Sequence, residues 1–132
     1  MEFENQYLNY DEYQELGGTL DETPFNILEL EARKNVDKYT SGRLKKLEKQ
    51  INEVKVCVFN LISTLKGYAE IKQKDRNITS ENIDGYSVSY VGVSAELTKG
   101  QKSEIENMIK TYLAECCLED GTPYLYIGAD KK

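Results

Sequence analysis

The spacing of apolar residues between positions 51 and 68 constrains the fold more than any other feature of the sequence. Apolar side chains recur there every three or four residues, which places them on one face of an α-helix. They are Ile51, Val54, Val58, Leu61, Ile62, Leu65 and Tyr68, with Cys57 and Phe59 widening the stripe. Such a stripe needs other elements to cover it, so we expect this helix at the centre of the core, ending near Ile71 in a polar stretch.

A second helix is predicted before it. Thr23 is the expected N-cap, and Pro24 falls in the first turn, where its missing N–H does no harm. The apolar stripe is Phe25, Leu28, Ala32, Val36 and Tyr39. Residues 40–42 are expected to end this helix.

A short helix is predicted near the start of the chain. Asn9 can cap it while Glu12, three residues later, reaches back to the cap, and the glycines at 17–18 stop it. Tyr10, Tyr13 and Leu16 would share one face. Two turns of helix are unstable alone, so this helix must dock on the rest of the protein.

The last helix is expected to begin at Thr98, which forms a capping box with Gln101. Its apolar face is Ile105, Met108, Ile109, Tyr112, Leu113 and Cys116. Asp120 and Gly121 are expected to end it.

Between the third and fourth helices the period of the sequence changes. Residues 83–93 alternate polar and apolar types and are rich in β-branched and aromatic side chains, which predicts an extended or β segment. A second short extended piece is expected near 123–128. The chain is therefore predicted to be a single, mainly α domain over residues 1–132. We expect a small bundle of about four helices with one short extended segment, and a loose end at 129–132.

Composition limits the chemistry that the chain can perform. The sequence has no histidine, which removes the commonest general base and the commonest metal ligand, and its net charge is −6. Three cysteines at 57, 116 and 117 form no CxxC pair, so we expect no disulfide framework, no metal site and no cofactor. No run of about 18 apolar residues and no signal-like start is present, so we expect neither a membrane span nor secretion. An enzymatic function is not expected.

Several short motifs follow one another along nearly the whole chain. Leu-Asn-Tyr-Asp-Glu-Tyr occupies 8–13 and Val-Lys-Val-Cys occupies 54–57; Ile-Asp-Gly-Tyr-Ser-Val follows at 83–88 and Leu-Tyr-x-Gly at 125–128. Their order resembles the head–tail connector (head-completion adaptor) proteins of tailed bacteriophages and related prophages. One departure is Ile127, where many relatives carry an arginine.

This resemblance implies a helical-bundle subunit that forms a homo-oligomeric ring on the portal protein, expected to be a dodecamer when assembled and a monomer in solution beforehand. Such a ring extends the DNA exit channel, encloses double-stranded DNA without sequence-specific binding, and receives a downstream stopper or tail-completion protein. It implies assembly in the host cytoplasm and a final place at the head–tail interface of the virion.

Two groups of residues are candidates for the contacts of such a subunit. The first consists of extended-segment residues: Tyr86, Val88, Tyr90, Tyr124 and Tyr126. Tyrosine combines an apolar ring with a polar tip, which suits surfaces that are buried on assembly. The alternative is that these tyrosines pack into the core of the domain itself.

The second group is the basic cluster Arg43, Lys45, Lys46, Lys49 and Lys55. The start of the third helix is expected to overlap residues 43–49. It could contact an acidic portal surface or DNA, or it could be a solvated helix face. The same cluster supports an alternative function, a small prophage-encoded regulator that binds DNA or protein, with a helix-turn-helix around 40–49.

Overall fold

The structure is a computed structural model, and it describes residues 6–40, 42–47, 50–80, 90–117, 121 and 125, without the side chains of 43, 46 and 73–80. The described chain forms four α-helices and two 3-10 helices. The α-helices are α1 (Tyr10–Glu15), α2 (Glu22–Thr40), α3 (Asn52–Ser80) and α4 (Lys99–Leu113). A first 3-10 helix, Arg43–Lys46, follows α2, and a second, Val93–Glu96, precedes α4. The prediction of a mainly α bundle is confirmed.

The central position of α3 is also confirmed. This helix packs against both α2 and α4. Its buried face is Val54, Cys57, Val58, Leu61, Ile62, Leu65 and Ala69. Ile51 lies just before the helix and is 37% exposed, so it is not part of this face. The helix continues to Ser80 instead of ending near Ile71, because residues 72–80 contain no proline or glycine to interrupt it.

The start of α2 differs from the prediction. The helix begins at Glu22, and the carbonyl of Asp21 accepts the N–H of Phe25 at 3.0 Å, so Thr23 is inside the first turn and is not the N-cap. Pro24 still lies among the first residues, whose N–H groups have no helical partner. The predicted stripe is buried at Phe25, Leu28, Ala32 and Val36. Tyr39 is half-buried and packs against the core.

The predicted caps of α1 are confirmed. The side chain of Asn9 accepts the N–H of Glu12 at 2.8 Å, and the carboxylate of Glu12 accepts the N–H of Asn9 at 3.0 Å. Gly17 follows the helix at φ +104°, a conformation that glycine adopts without steric cost. Tyr13 is buried, but Leu16 at the C-cap is 43% exposed and does not share the buried face.

Helix α4 has the predicted capping box between Thr98 and Gln101. It buries Ile105, Ile109 and Leu113 and lies antiparallel to α3, since Asn60 donates to the Tyr112 hydroxyl at 2.5 Å and Thr64 contacts the Met108 sulfur at 3.6 Å. The helix ends at Leu113, earlier than the expected end near 120, and Cys116 lies in the following turn.

The predicted extended segment is only partly described. Residues 81–89 lie outside the described residues. Tyr90 leads into a turn at 91–92, with Gly92 at φ +74°, and the second 3-10 helix follows. The prediction of an extended or β segment is therefore wrong for residues 91–93, which form a turn and the start of the 3-10 helix. The physical reason is Gly92, whose left-handed conformation turns the backbone out of an extended path just before buried Val93.

Two glycines provide a matched test of this backbone. Gly67 lies within α3 with open space around it, so Gly67→Ala should stabilise the protein by about 0.5–1 kcal/mol. Gly17 also has open space but lies at φ +104°, so Gly17→Ala should destabilise it by about 1 kcal/mol. Urea unfolding monitored by circular dichroism measures both changes. Equal effects of the two substitutions would contradict this account of α1 and α3.

Candidate interaction surface

Of the predicted contact residues in the extended segments, only Tyr90 is among the described residues; Tyr86, Val88, Tyr124 and Tyr126 lie outside them. Tyr90 is half-buried, packs against the core and donates its hydroxyl to Glu70 at 3.3 Å. This placement fits the alternative in which such tyrosines support the domain itself. Leu125, between two of the candidates, is also half-buried and packs against the core, so the chain contacts the bundle there.

Apart from Lys55, the described residues of the basic cluster are not on α3. Arg43, Lys45 and Lys46 belong to the first 3-10 helix, whereas α3 begins only at Asn52. The expected overlap with the third helix is therefore wrong, because Gly42 at φ +73° starts a separate turn. The side chains of Arg43 and Lys46, and the whole of Lys49, lie outside the description.

Lys45 and Lys55 are the cluster residues whose side chains are described. Lys45 is 68% exposed, and its ammonium lies 3.9 Å from the carboxylate of Asp37. Lys55 forms an ion pair with Glu12. The chain between α2 and α3 covers 41–51 and includes the 3-10 helix, which makes it longer than the three or four residues that join the helices of a helix-turn-helix. The predicted motif around 40–49 does not have that geometry.

Two buried carboxylates on α2 are the main polar feature that sequence reasoning missed. Glu29 is fully buried, and it accepts the N–H of Tyr7 at 2.8 Å and the Nε–H of Arg33 at 2.8 Å. Burial raises the pKa of Glu29 to about 7, and Arg33 and the backbone N–H groups of Tyr7 and Leu8 offset this only in part. Glu29 therefore attaches the segment before α1 to the middle of α2.

The same segment has a second attachment. The Tyr7 hydroxyl donates to Asp37 at 2.5 Å, and burial together with this carboxylate raises the pKa of Tyr7. Tyr7 and Leu8 are both buried in the core. No periodic pattern in the sequence indicates this, because the segment is not helical and its contacts are more than twenty residues away.

The other buried carboxylate, Glu31, holds the chain that leads into the second 3-10 helix. It accepts the N–H of Gly92 at 3.2 Å and that of Ser94 at 3.3 Å, and it is only 4% exposed. Asn35 donates to the Ser94 hydroxyl at 2.9 Å from the next turn of α2. A carboxylate at this position satisfies N–H groups that the short helix leaves without a partner.

The region around Tyr90 and Glu70 has exposed apolar side chains. Val91 is 70% exposed and Ile71 is 60% exposed, more than the other exposed large apolar residues in the described part of the chain. They are neighbours of Tyr90 and Glu70, which are hydrogen-bonded to each other, and Lys72 forms an ion pair with Glu96 at 2.5 Å. We use the name arm-root surface for the group Glu70, Ile71, Lys72, Tyr90 and Val91, which the Tyr90–Glu70 hydrogen bond brings together.

The cysteines have distinct environments and all three thiols are free. Burial in the core raises the pKa of the Cys57 thiol to about 12, so this thiol stays protonated. Burial also raises the pKa of Cys116, whose sulfur contacts the Tyr112 carbonyl at 3.6 Å, whereas Cys117 is exposed. Within the described ranges no group of three or more potential ligands could hold a metal ion. No helix among them is long and apolar enough to cross a membrane.

Comparisons of the chain with protein-family models, curated proteins and solved structures found no match. The resemblance to head–tail connectors therefore stays a prediction from the order of the motifs.

The raised pKa of Glu29 makes stability depend on pH. Its folded-state pKa of about 7 lies above the ordinary value of 4.5, so the protonated carboxyl is favoured by folding. The stabilisation is complete below pH 4.5 and is lost as the pH rises through 7. The unfolding free energy of wild type minus that of Glu29→Gln should fall by about 2–3 kcal/mol over this range, measured by urea unfolding at each pH.

Glu12→Gln is the control with the opposite sign. Burial of Glu12 is outweighed by its hydrogen bonds with Lys55 and Asn9, so its pKa is lowered, and its stabilisation is present above pH 4.5 and lost as the pH falls below it. The unfolding free energy of wild type minus that of Glu12→Gln should therefore rise with pH. If the free-energy differences of the two variants changed with pH in the same direction, the raised pKa assigned to Glu29 would be contradicted.

The attachment made by Glu31 can be tested by hydrogen exchange. Glu31→Ala removes the acceptor of two backbone N–H groups, so the amides of Gly92 and Ser94 should exchange faster and stability should fall by about 1–3 kcal/mol. Lys34→Ala is the control, since it removes only an exposed ion pair at 3.9 Å and should leave both amides protected. Unchanged exchange in Glu31→Ala would show that these bonds do not hold the segment.

Proposed function

We propose that this protein is a structural adaptor of a tailed phage or prophage, which forms a ring on the portal and links the DNA-filled head to the tail. Its function would be to bind neighbouring proteins, without catalysing a reaction. The order of motifs along the chain suggests this function. A helical bundle is also the architecture that the connector resemblance implies.

The observation that carries the proposal is the arm-root surface. The described chain resumes at Tyr90, whose hydroxyl bonds to Glu70 of α3, and Glu31 holds the backbone that follows at Gly92 and Ser94. Exposed Ile71 and Val91 are the sequence neighbours of this bonded pair. Apolar side chains grouped on a surface favour contact with another protein, and a segment fixed at its root can place that contact reproducibly.

The basic cluster is given a smaller part in this proposal. Lys45 lies near Asp37, and Lys55 forms an ion pair with Glu12, so these two cations already have acidic neighbours within the domain. Strong phosphate binding would also hinder a channel through which DNA must leave, because phosphate contacts dominate affinity for DNA. We therefore assign portal and subunit contacts to protein surfaces and only passive enclosure to DNA.

The arm-root surface can be tested with side chains that leave the fold intact. Ile71→Ser with Val91→Ser removes exposed apolar area, so stability should change by less than about 0.5 kcal/mol. Binding to the portal protein of the same genome should weaken about tenfold or more, which corresponds to a loss of at least about 1.4 kcal/mol of binding free energy. Ile51→Ser, at an exposed apolar site away from this surface, is the matched control and should bind normally.

The arm itself is best tested by replacing residues 81–89 with a glycine–serine linker. A larger deletion that included Val93 would remove a buried core residue and confound the result. Ring-shaped particles with the portal in negative-stain microscopy are expected for wild type and not for the replacement. If the wild-type protein does not bind the portal, or if it binds one DNA sequence in a gel shift at physiological salt, the alternative function as a small regulator would be supported instead.

A further inference from the structure

The chain before α2 covers apolar surface that belongs to two other helices. We call residues 6–20, which include α1, the strap. The rings of Tyr10 and Tyr13 pack against Phe25 of α2, with centroids 5.4 and 4.7 Å away. Tyr13 also packs against Phe59 of α3, at 5.7 Å between centroids. The strap therefore lies over both α2 and α3.

Contacts within the strap make it one unit. The Tyr13 hydroxyl accepts the N–H groups of Thr19 and Leu20 at 3.2 and 3.1 Å, and the Tyr10 hydroxyl donates to the Leu20 carbonyl at 2.9 Å. The Tyr13 ring lies so close to Gly18 that a Cβ there would be 2.2 Å from it. Helices α2, α3 and α4 pack on one another without the strap. The strap can therefore leave them as a whole, as a locally unfolding unit does.

Glu29 of α2 lies beneath the strap and is fully buried. Its two oxygens bond to different elements: Oε2 accepts the N–H of Tyr7 from the strap, and Oε1 accepts the Nε–H of Arg33 from its own helix, both at 2.8 Å. The N–H of Leu8, also in the strap, acts on the same carboxylate. If the strap leaves, Arg33 stays beside Glu29 on α2, and water replaces the two backbone donors.

The other charged groups near this attachment have partners of their own. Asp37, two turns further along α2, accepts the Tyr7 hydroxyl at 2.5 Å and lies 3.9 Å from Lys45 of the first 3-10 helix. On α3, Lys55 is bound by Glu12 of the strap. Arg33 is thus the cation that acts directly on Glu29, and it offsets the cost of burying this carboxylate only in part.

We propose that the strap is a pH-sensitive latch, which opens more often as Glu29 becomes ionised and then uncovers the apolar surface that carries Phe25 and Phe59. Opening is a local motion of residues 6–20, and α2, α3 and α4 stay packed. The latch is a property of the domain alone and does not depend on the proposed adaptor function.

The direction of the pH dependence follows from the burial of Glu29. In the closed state burial raises the pKa of Glu29 to about 7, whereas in the open state water solvates the carboxylate and its pKa returns toward the ordinary value of 4.5. Closure is therefore strongest below pH 4.5 and weakens as the pH rises through 7. The pKa of Glu12 is lowered from 4.5, so Glu12 titrates below this range.

Native-state hydrogen exchange at low urea tests the latch. The amides of Tyr7 and Leu8 should exchange through an opening with a smaller urea dependence than that of the Leu61 and Ile62 amides in α3, because less surface is exposed. After correction for intrinsic exchange rates, the opening constant measured at Tyr7 and Leu8 should rise at least about tenfold between about pH 5 and about pH 8.

Two variants separate the titrating group from the rest of the attachment. Glu29→Gln keeps an acceptor for the Tyr7 N–H but cannot ionise, so the opening constant of the strap should be the same at both pH values. Tyr7→Phe is the matched control, since it loses only the bond to Asp37. It should open roughly tenfold more often at each pH and keep the wild-type pH dependence.

Three results would overturn the latch. The first is that the Tyr7 and Leu8 amides share the opening free energy and urea dependence of Leu61 and Ile62, because the strap then opens only when the whole domain unfolds. The second is a Glu29→Gln variant whose strap keeps the wild-type pH dependence. The third is a titration midpoint of the Glu29 carboxyl near 4.5 in carbon NMR of the wild type, where a value near 7 is expected.

Discussion

Helix α3 packs its apolar face against α2 and α4, and this packing is the interaction on which the rest of the described structure depends. A fully buried aliphatic side chain contributes about 1.5–3 kcal/mol, and α3 supplies several in a row, from Val54 to Leu65. A helix cap contributes about 1 kcal/mol and an exposed ion pair less. The polar contacts between α3 and α4, such as Asn60 with Tyr112, therefore set the register of helices that apolar burial has already brought together.

The segments that are not helical are attached by a different force. Glu29 and Glu31 are buried in a helical core, where an uncompensated carboxylate would cost several kcal/mol. Each instead accepts backbone N–H groups, Glu29 from the segment before α1 and Glu31 from the chain at Gly92 and Ser94. The raised pKa of Glu29 indicates that its burial is only partly compensated. The protein thus gives up some stability, and in return both segments have fixed positions on α2.

These attachments bear on how an adaptor of this kind could work. Glu31 of α2 holds the backbone that follows Tyr90 and Val91, and the other arm-root residues, 70–72, lie on α3, which packs against α2. The surface that we assign to partners is therefore held by two helices packed together. A ring needs that property, because a small angular error in each subunit accumulates around the circle and prevents closure.

The sequence by itself determined the four helices, since apolar periodicity and caps such as Asn9 with Glu12 are encoded within a few residues. It also placed Lys45 in an exposed basic cluster. Only the tertiary structure decided that Tyr7 is buried, that two glutamates on α2 hold distant backbone, and that Tyr90 packs against the bundle. Tyr7 bonds to Glu29 across 22 positions and Gly92 to Glu31 across 61. Contacts over such separations depend on how the helices pack, and no local pattern in the chain records that packing.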